Sequence, residues 1–149
     1  MKEIVLVLIK PDGMQKKIVG VVIDQLLAGD MKLVGLKTAV VSRSLAEKHY
    51  GHLKRQSFFK QIVNYLCGDL HGGNPVIALV LYGEDAISKC RTIAGATNPE
   101  EADPVSVRGK YGRITTKGVF ENLVHVSSSP KEAKREIELW FKKNELIKG

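Results

Sequence analysis

The sequence predicts an α/β sandwich, an antiparallel or mixed sheet with helices mainly on one of its faces. Three observations lead there. Short runs rich in β-branched residues alternate with stretches whose apolar residues recur at helical spacing. The gaps between strand-like runs are long enough to hold helical crossovers. The 149 residues, 44% hydrophobic and 26% charged, fit a single globular domain over 1–149, with no repeat, low-complexity tract or linker.

Ile4 to Ile9 is an apolar run ended by Lys10-Pro11-Asp12-Gly13. It reads as a strand buried on both faces, followed by a tight turn. Val19, Val22, Ile23, Leu26 and Leu27 recur at helical spacing, and Gly29-Asp30 closes that helix. Leu33 to Val41 is a second strand. Ser44-Leu45-Ala46-Glu47 has capping-box spacing and opens a helix through about Leu53. A further helix spans Phe58 to Leu66. After a Gly-rich connection, Val76 to Tyr82 is a third strand, and Glu84 to Ile93 a short helix. From about Ala96 to Gly118 the pattern is lost, in a basic stretch punctuated by Pro and Gly; an irregular loop of that length in a small domain points to function. Val119 to Val126 is the last strand. Ser129-Pro130-Lys131-Glu132 then sets a capping serine, a proline at the first helical position and a glutamate three residues on. The helix it opens buries Ala133, Ile137, Trp140 and Phe141.

Charge narrows the partners. With 23 basic and 16 acidic residues the chain carries +7, which suits anions: nucleic acid, acidic membrane or phosphorylated small molecules. The two cysteines, Cys67 and Cys90, form no metal spacing and no disulfide framework, so a reducing cytoplasm is expected. The N-terminal apolar run stops at Lys10 with no cleavage site after it, and no run approaches the roughly 20 apolar residues of a membrane span.

Polar residues at strand ends are the first candidates for chemistry. Lys10 stands where the first strand stops and can present a compact cation to phosphate; a solvated turn lysine is the alternative. His125 ends the last strand, just before a helix whose start carries Ser127, Ser128 and Ser129. A helix N-terminus attracts phosphate, and a histidine beside one can accept a phosphoryl group, given a partner to orient its ring. Taken alone, a single histidine is more often a structural one with its hydrogen bonds satisfied. His49, His52 and His71 show no such setting. Arg91, Arg108, Lys110, Arg113 and Lys117 lie in or before the long basic loop, and arginine forks match phosphate oxygens. Of the adjacent Phe58 and Phe59, one ring belongs to the core and the other can stack on a base. Gly68 to Gly73 lacks the Lys-Ser/Thr ending of a phosphate-binding P-loop, and Cys67 with His71 lacks further ligands for a metal.

Lys10-Pro11-Asp12-Gly13, Ala96-Thr97-Asn98-Pro99, Val107-Arg108-Gly109 and Asn122-Leu123-Val124-His125 occur in that order. Together they resemble the nucleoside diphosphate kinase family, from about Glu3 to Leu146. The resemblance implies a ferredoxin-like βαββαβ sandwich and a ping-pong exchange, in which the terminal phosphate of a nucleoside triphosphate passes through histidine to a nucleoside diphosphate. It implies His125 as nucleophile and Glu136 as the residue orienting its ring. Lys10 and Asn122 match positions at the ribose, with Lys10 also on phosphate. Arg91, Thr97 and Arg108 match phosphate positions, Tyr50 one supporting Lys10 and His125, and Phe58 and Val119 the pair enclosing the base. Mg2+ would arrive on the nucleotide phosphates rather than on protein ligands. The family also implies a homo-oligomer, a tetramer or hexamer built from dimers, with nucleic acid not the main partner.

The chain departs from the family pattern in places. Val126 and Ser128 stand where glycine and an acid are common, and Gln56-Ser57 replaces Arg-Pro ahead of the aromatic pair. The loops Gly68–Asn74 and Gly109–Glu121 are longer than usual. Two other readings compete: a basic nucleic-acid-binding module, which expects aromatics on an open sheet face, and an inactive family member, which expects lost site residues.

Overall fold

The computed structural model describes all of residues 1–149. Strand β1 (Lys2–Ile9) leads through a short helix α1 (Pro11–Gln15) into α2 (Val19–Leu27) and β2 (Lys32–Ala39). Helices α3 (Arg43–His49) and α4 (Phe59–Leu66) precede β3 (Val76–Glu84) and α5 (Ala86–Ala94). Then come α6 (Val107–Tyr111), a hairpin of β4 (Arg113–Ile114) and β5 (Phe120–Glu121), β6 (Val124–Val126) and α7 (Pro130–Trp140). The main sheet has the order β2-β3-β1-β6 and is antiparallel throughout. This is the ferredoxin-like α+β arrangement, with α3 and α4 inserted between the second and third strands. No helix is long and apolar enough to cross a membrane.

Helices cover both faces of the sheet rather than mainly one. The reason lies in β1, where every residue from Val5 to Ile9 is apolar and at most 1% exposed. A strand apolar at successive positions needs cover on both sides. Val5, Val7 and Ile9 pack with Leu79 and Leu81 against α2 and α5. Leu6 and Leu8 pack with Ala78 and Val80 against α3, α4 and α7, where Ile137, Trp140 and Phe141 are buried. The two middle strands thus hold two cores.

Four local expectations change. The turn after β1 is a short helix with Pro11 in its first turn. The α3 cap is Ser42, whose side chain accepts from Leu45 N–H at 3.1 Å, not Ser44. The stretch expected to be irregular contains a 3-10 turn at Pro99–Glu101, α6 with Ser106 as its cap, and β4. The last strand is broken: Phe120–Glu121 pairs with β4, and Val124–Val126 pairs with β1. Between them Leu123 takes φ +69°, a left-handed conformation that no strand accommodates.

The corrected cap makes a prediction. Ser42→Ala removes a partner for an otherwise unpaired N–H and costs about 1 kcal/mol, whereas Ser44→Ala stays within about 0.5 kcal/mol. Urea denaturation of both variants checks it, and equal losses would contradict the assignment.

Candidate active site

Two distant segments meet where β1 ends. Lys10 N–H donates to the Leu123 carbonyl at 2.8 Å. Leu123 N–H in turn donates to the Asp12 carboxylate at 3.0 Å. Gly13 permits the approach: a Cβ there would lie 2.9 Å from the Ile9 side chain and 3.2 Å from the Leu123 carbonyl. Left-handed backbone at a non-glycine residue costs on the order of 1–3 kcal/mol, and here these hydrogen bonds hold Leu123 in it. The break turns Asn122 inward instead of along a strand. Its side-chain oxygen accepts from Lys10 Nζ, and its amide N–H donates to the Thr97 carbonyl at 3.0 Å. An ammonium on one side and a carbonyl on the other leave one sense for that amide.

Arg108 braces the same segment. Its guanidinium donates to the carbonyls of Gly95 (2.7 Å), Asn122 (3.1 Å) and Val124 (2.7 Å). Three of its five N–H donors are thereby committed, which orients the rest. Arg91, on α5, stands exposed at the rim of the same cleft and makes no side-chain hydrogen bond within the chain.

His125 sits on β6 opposite Leu8 of β1, partly exposed to the cleft. Its Nε2 lies 3.0 Å from the Glu136 carboxylate, which also accepts from Ser127 Oγ at 2.6 Å. Burial works against charge on Glu136, yet the hydrogen bonds from His125 and Ser127 outweigh it and hold its pKa below the ordinary value. An ionised carboxylate only accepts, so His125 Nε2 is the donor. In the neutral ring Nδ1 then carries the lone pair, and it has no protein partner. That is the form a nitrogen nucleophile needs.

His49 stands behind His125. Its ring meets that of His125 edge to face at 4.4 Å, and its Nδ1 accepts from Trp140 Nε1 at 3.1 Å. Burial, followed by the nearby charges of His125 and Arg135, pushes its pKa well down, so His49 is a neutral wall. Arg135 fixes that wall by donating to the His49 carbonyl at 3.1 Å. His49, His125 and Glu136 do converge within 4.8 Å. His49 carries its proton on the free nitrogen, however, and the other two are bonded to each other, so the trio orients rather than chelates.

The cleft has two lobes. One, of about 410 Å³, contains Lys10, Arg91, Arg108, His125 and Glu136. The other, of about 370 Å³ and more apolar, is lined by Phe58, Ile62, Val119 and Phe120. Lys10, Tyr50, Thr97 and Asn122 stand at the junction. A ligand filling both has a flat apolar end and an anionic end. Burial lowers the Lys10 pKa to about 7, against the opposing pull of Asp12. Its ammonium also lies 4.6 Å over the Tyr65 ring. Burial, then Glu136, raises the Tyr50 phenol, which stays protonated and able to donate.

Every residue expected at the site lines one lobe or the other. Tyr50 makes no hydrogen bond to Lys10 or His125 and only flanks the latter, with ring centres 6.5 Å apart. Val126, which stands where the family pattern commonly has glycine, lies in extended strand and buries its side chain in the α2–α5 core. Ser128 is exposed, and the α7 cap is Ser129, which accepts from Glu132 N–H at 3.2 Å. Sequence reasoning missed Asp12 as the brace of Leu123, Tyr65 beneath Lys10, Phe120 in the apolar lobe, and His49 with Arg135 behind His125. Only Asp12 carried a signal, as an acid beside the candidate lysine.

Comparisons with known proteins converge on one family. The family described as nucleoside diphosphate kinase matches residues 3–146. A nucleoside diphosphate kinase of Carboxydothermus hydrogenoformans is 42% identical over 141 residues, spanning 95% of this chain and 89% of the relative. The structure of a halophilic nucleoside diphosphate kinase from Halobacterium salinarum in complex with CDP superposes with a TM-score of 0.89 at 32% identity, covering 100% of this chain and 93% of the other. A Borrelia burgdorferi nucleoside-diphosphate kinase, a transition-state mimic with bound vanadate and ADP, gives 0.88 at 28% identity, covering 99% and 92%.

Asp12→Ala leaves the buried Leu123 N–H without an acceptor. We expect a loss of about 1–3 kcal/mol in urea denaturation. An unchanged midpoint would show that the brace contributes nothing.

Proposed function

The chain belongs to the nucleoside diphosphate kinase family and has that phosphotransferase activity, and from this premise we propose that His125 carries the phosphate between nucleotides. The observation that carries the assignment is the 3.0 Å contact of His125 Nε2 with Glu136, which leaves Nδ1 as the nucleophilic nitrogen.

A triphosphate lies with its base between Phe58 and Val119, its ribose at Lys10 and Asn122, and its phosphates along Arg91, Thr97 and Arg108. Nδ1 attacks the terminal phosphorus in line. The bond to the bridging oxygen breaks, the electron pair leaves with that oxygen, and the diphosphate departs. A second diphosphate then attacks the phosphohistidine in the reverse sense. Such transfers need positioning and charge neutralisation more than covalent help. Arg91 and Arg108 supply fixed positive charge, Lys10 gains its charge as the phosphates bind, and the Tyr50 phenol can donate to a phosphate oxygen. Glu136 stabilises the ring as positive charge develops on it. Stacking reads a flat face rather than an edge, which supports tolerance of different bases.

The donor set suits a metal that travels with the substrate. Glu136 is engaged by His125 and Ser127, Glu132 by Arg135, and one oxygen of the fully buried Asp12 by Leu123 N–H. Family members use a divalent metal, and we assign Mg2+ carried on the nucleotide phosphates, where it offsets their charge. The remaining assignments rest on lesser supports. The free cysteines Cys67 and Cys90 suit a reducing cytoplasm. The edge strand β2 and the length of the 109–121 segment are compatible with a homo-oligomer built from dimers, and residues 1–149 would act as one domain. A nucleic-acid platform of exposed sheet aromatics has no open face to occupy, because helices cover both.

Incubation with γ-labelled ATP and Mg2+ should give acid-labile, base-stable label that chases onto GDP. His125→Ala should carry none; label persisting there would sink the nucleophile assignment. A second expectation concerns Lys10. Its folded pKa of about 7 leaves it largely neutral at about pH 8, and a bound diphosphate raises that pKa. ADP binding at about pH 8 should therefore take up close to one proton, whereas at about pH 6, where Lys10 is already charged and the terminal phosphate of ADP is itself partly protonated, binding should give no uptake but a net release. Calorimetry in buffers of different ionisation enthalpy reads the difference. Equal uptake at both pH values contradicts the role of Lys10.

A further inference from the structure

His71 lines neither lobe of the cleft, yet it belongs to a ring of contacts that closes on the cleft. It lies between α4 and β3 and is 4% exposed. Its Nε2 stands 3.0 Å from Glu121 Oε1. Glu121 is itself only 5% exposed and directly precedes Asn122. On the other side, the His71 ring meets the Tyr65 ring edge to face at 5.1 Å. Lys10 Nζ lies over that same Tyr65 ring and donates to Asn122 Oδ1. The path Lys10, Tyr65, His71, Glu121, Asn122 and back to Lys10 is continuous.

The segment that carries His71 is shaped to hold it. Gly68, Gly72 and Gly73 all take positive φ, of +87°, +67° and +69°. At Gly68 a Cβ would come within 2.7 Å of the Asn74 carbonyl, so the chain folds back tightly there. His71 N–H donates to the Gly68 carbonyl at 2.9 Å, and its own carbonyl accepts from the Asn74 side chain at 2.7 Å.

Glu121 has three side-chain partners, of which Lys16 is the most distant, its Nζ 3.7 Å away and donating to the Tyr111 carbonyl at 2.7 Å. Arg113 donates to it at 2.6 Å, but the Arg113 side chain is 65% exposed and free to follow a moving carboxylate. His71 is buried and held from both sides. We propose that His71 is a positioning residue for the nucleotide: through Glu121 and Tyr65 it fixes Asn122 and Lys10, and with them the β4–β5 hairpin that carries Val119. The inference rests on the reading that Lys10 and Asn122 hold the ribose side of the substrate. Without His71, the Glu121 charge keeps Arg113, so the fold survives and the direction of Asn122 is what loosens.

The test is steady-state transfer from ATP to a diphosphate in wild type, His71→Ala, His71→Gln and Glu121→Gln, with calorimetric ADP binding and urea midpoints measured on the same samples. His71→Ala should raise KM and the ADP Kd about tenfold while kcat stays within about twofold, because ground-state and transition-state binding fall together. His71→Gln, which can still donate to Glu121, should recover most of that loss. Adding His71→Ala to Glu121→Gln should bring no further rise. KM and Kd unchanged in His71→Ala, whatever happens to the urea midpoint, would overturn the proposal and leave His71 structural. Should His71→Ala fail to fold, unchanged KM and Kd in folded Glu121→Gln overturn it equally. A wild type that transfers no phosphate defeats the functional reading instead, and the Kd comparison alone then decides for His71.

Discussion

The Asp12 carboxylate, holding the N–H of Leu123 in left-handed backbone, is the contact on which the rest of the site depends. It joins the end of the central strand to a segment more than 100 residues later in the chain, and it does so at the cost of a broken strand. Had residues 119–126 continued as one strand, Asn122 would follow the pleat, and His125 would pair along a longer ladder. The break lets β5 leave the main sheet for its own hairpin while β6 remains against β1. One half then carries the apolar wall at Val119 and Phe120. The other carries His125, the proposed nucleophile.

The electrostatics follow from that geometry. Lys10 and Arg108 are desolvated without a dedicated carboxylate: Lys10 has an amide oxygen and an aromatic face, Arg108 three carbonyls. Buried cations held by neutral acceptors are only partly compensated, and a polyphosphate supplies the missing charge. The acids of the region are placed where they do not compete. Asp12 faces Leu123, Glu136 faces His125 and Ser127, and Glu121 points away into Arg113 and His71. The cleft is thus positive around Lys10, Arg91 and Arg108, where the proposed phosphate site lies, and its one central anion is bonded to the imidazole.

The sheet and its helices were legible because their signal is periodic. Val5 to Ile9, the α2 spacing and the Ser129-Pro130 start of α7 all emerge within a residue or two. The polar site was legible mainly through the order of motifs, since Lys10 and His125 alone do not tell a ligand-binding residue from a structural one. What escaped was of two kinds. Ser42, not Ser44, caps α3, because two serines two residues apart offer the same local chemistry and only backbone direction separates them. His49 and His71 looked idle because their partners, His125 and Glu121, lie 76 and 50 positions away in the chain. Contacts of that span leave no local pattern.

Val126 shows how a strand tolerates an unexpected side chain beside the proposed nucleophile. In β6 successive side chains point to opposite faces, so the Val126 side chain is directed away from that of His125 even though the residue still borders the cleft. His125 faces α7 and the phosphate lobe, and Val126 faces α2 and α5, where its side chain adds to the core. Glycine there would serve no conformational need, because the backbone is extended and pairs with Val7. The neighbour that does bear on the chemistry is Ser127, one position further, back on the face of His125. Its hydroxyl gives its proton to the Glu136 oxygen that also accepts from the imidazole. With the larger contribution of the imidazole, that second donor keeps the carboxylate ionised while it is almost wholly buried, and an ionised Glu136 leaves Nδ1 of His125 with the free lone pair on which the proposed attack rests.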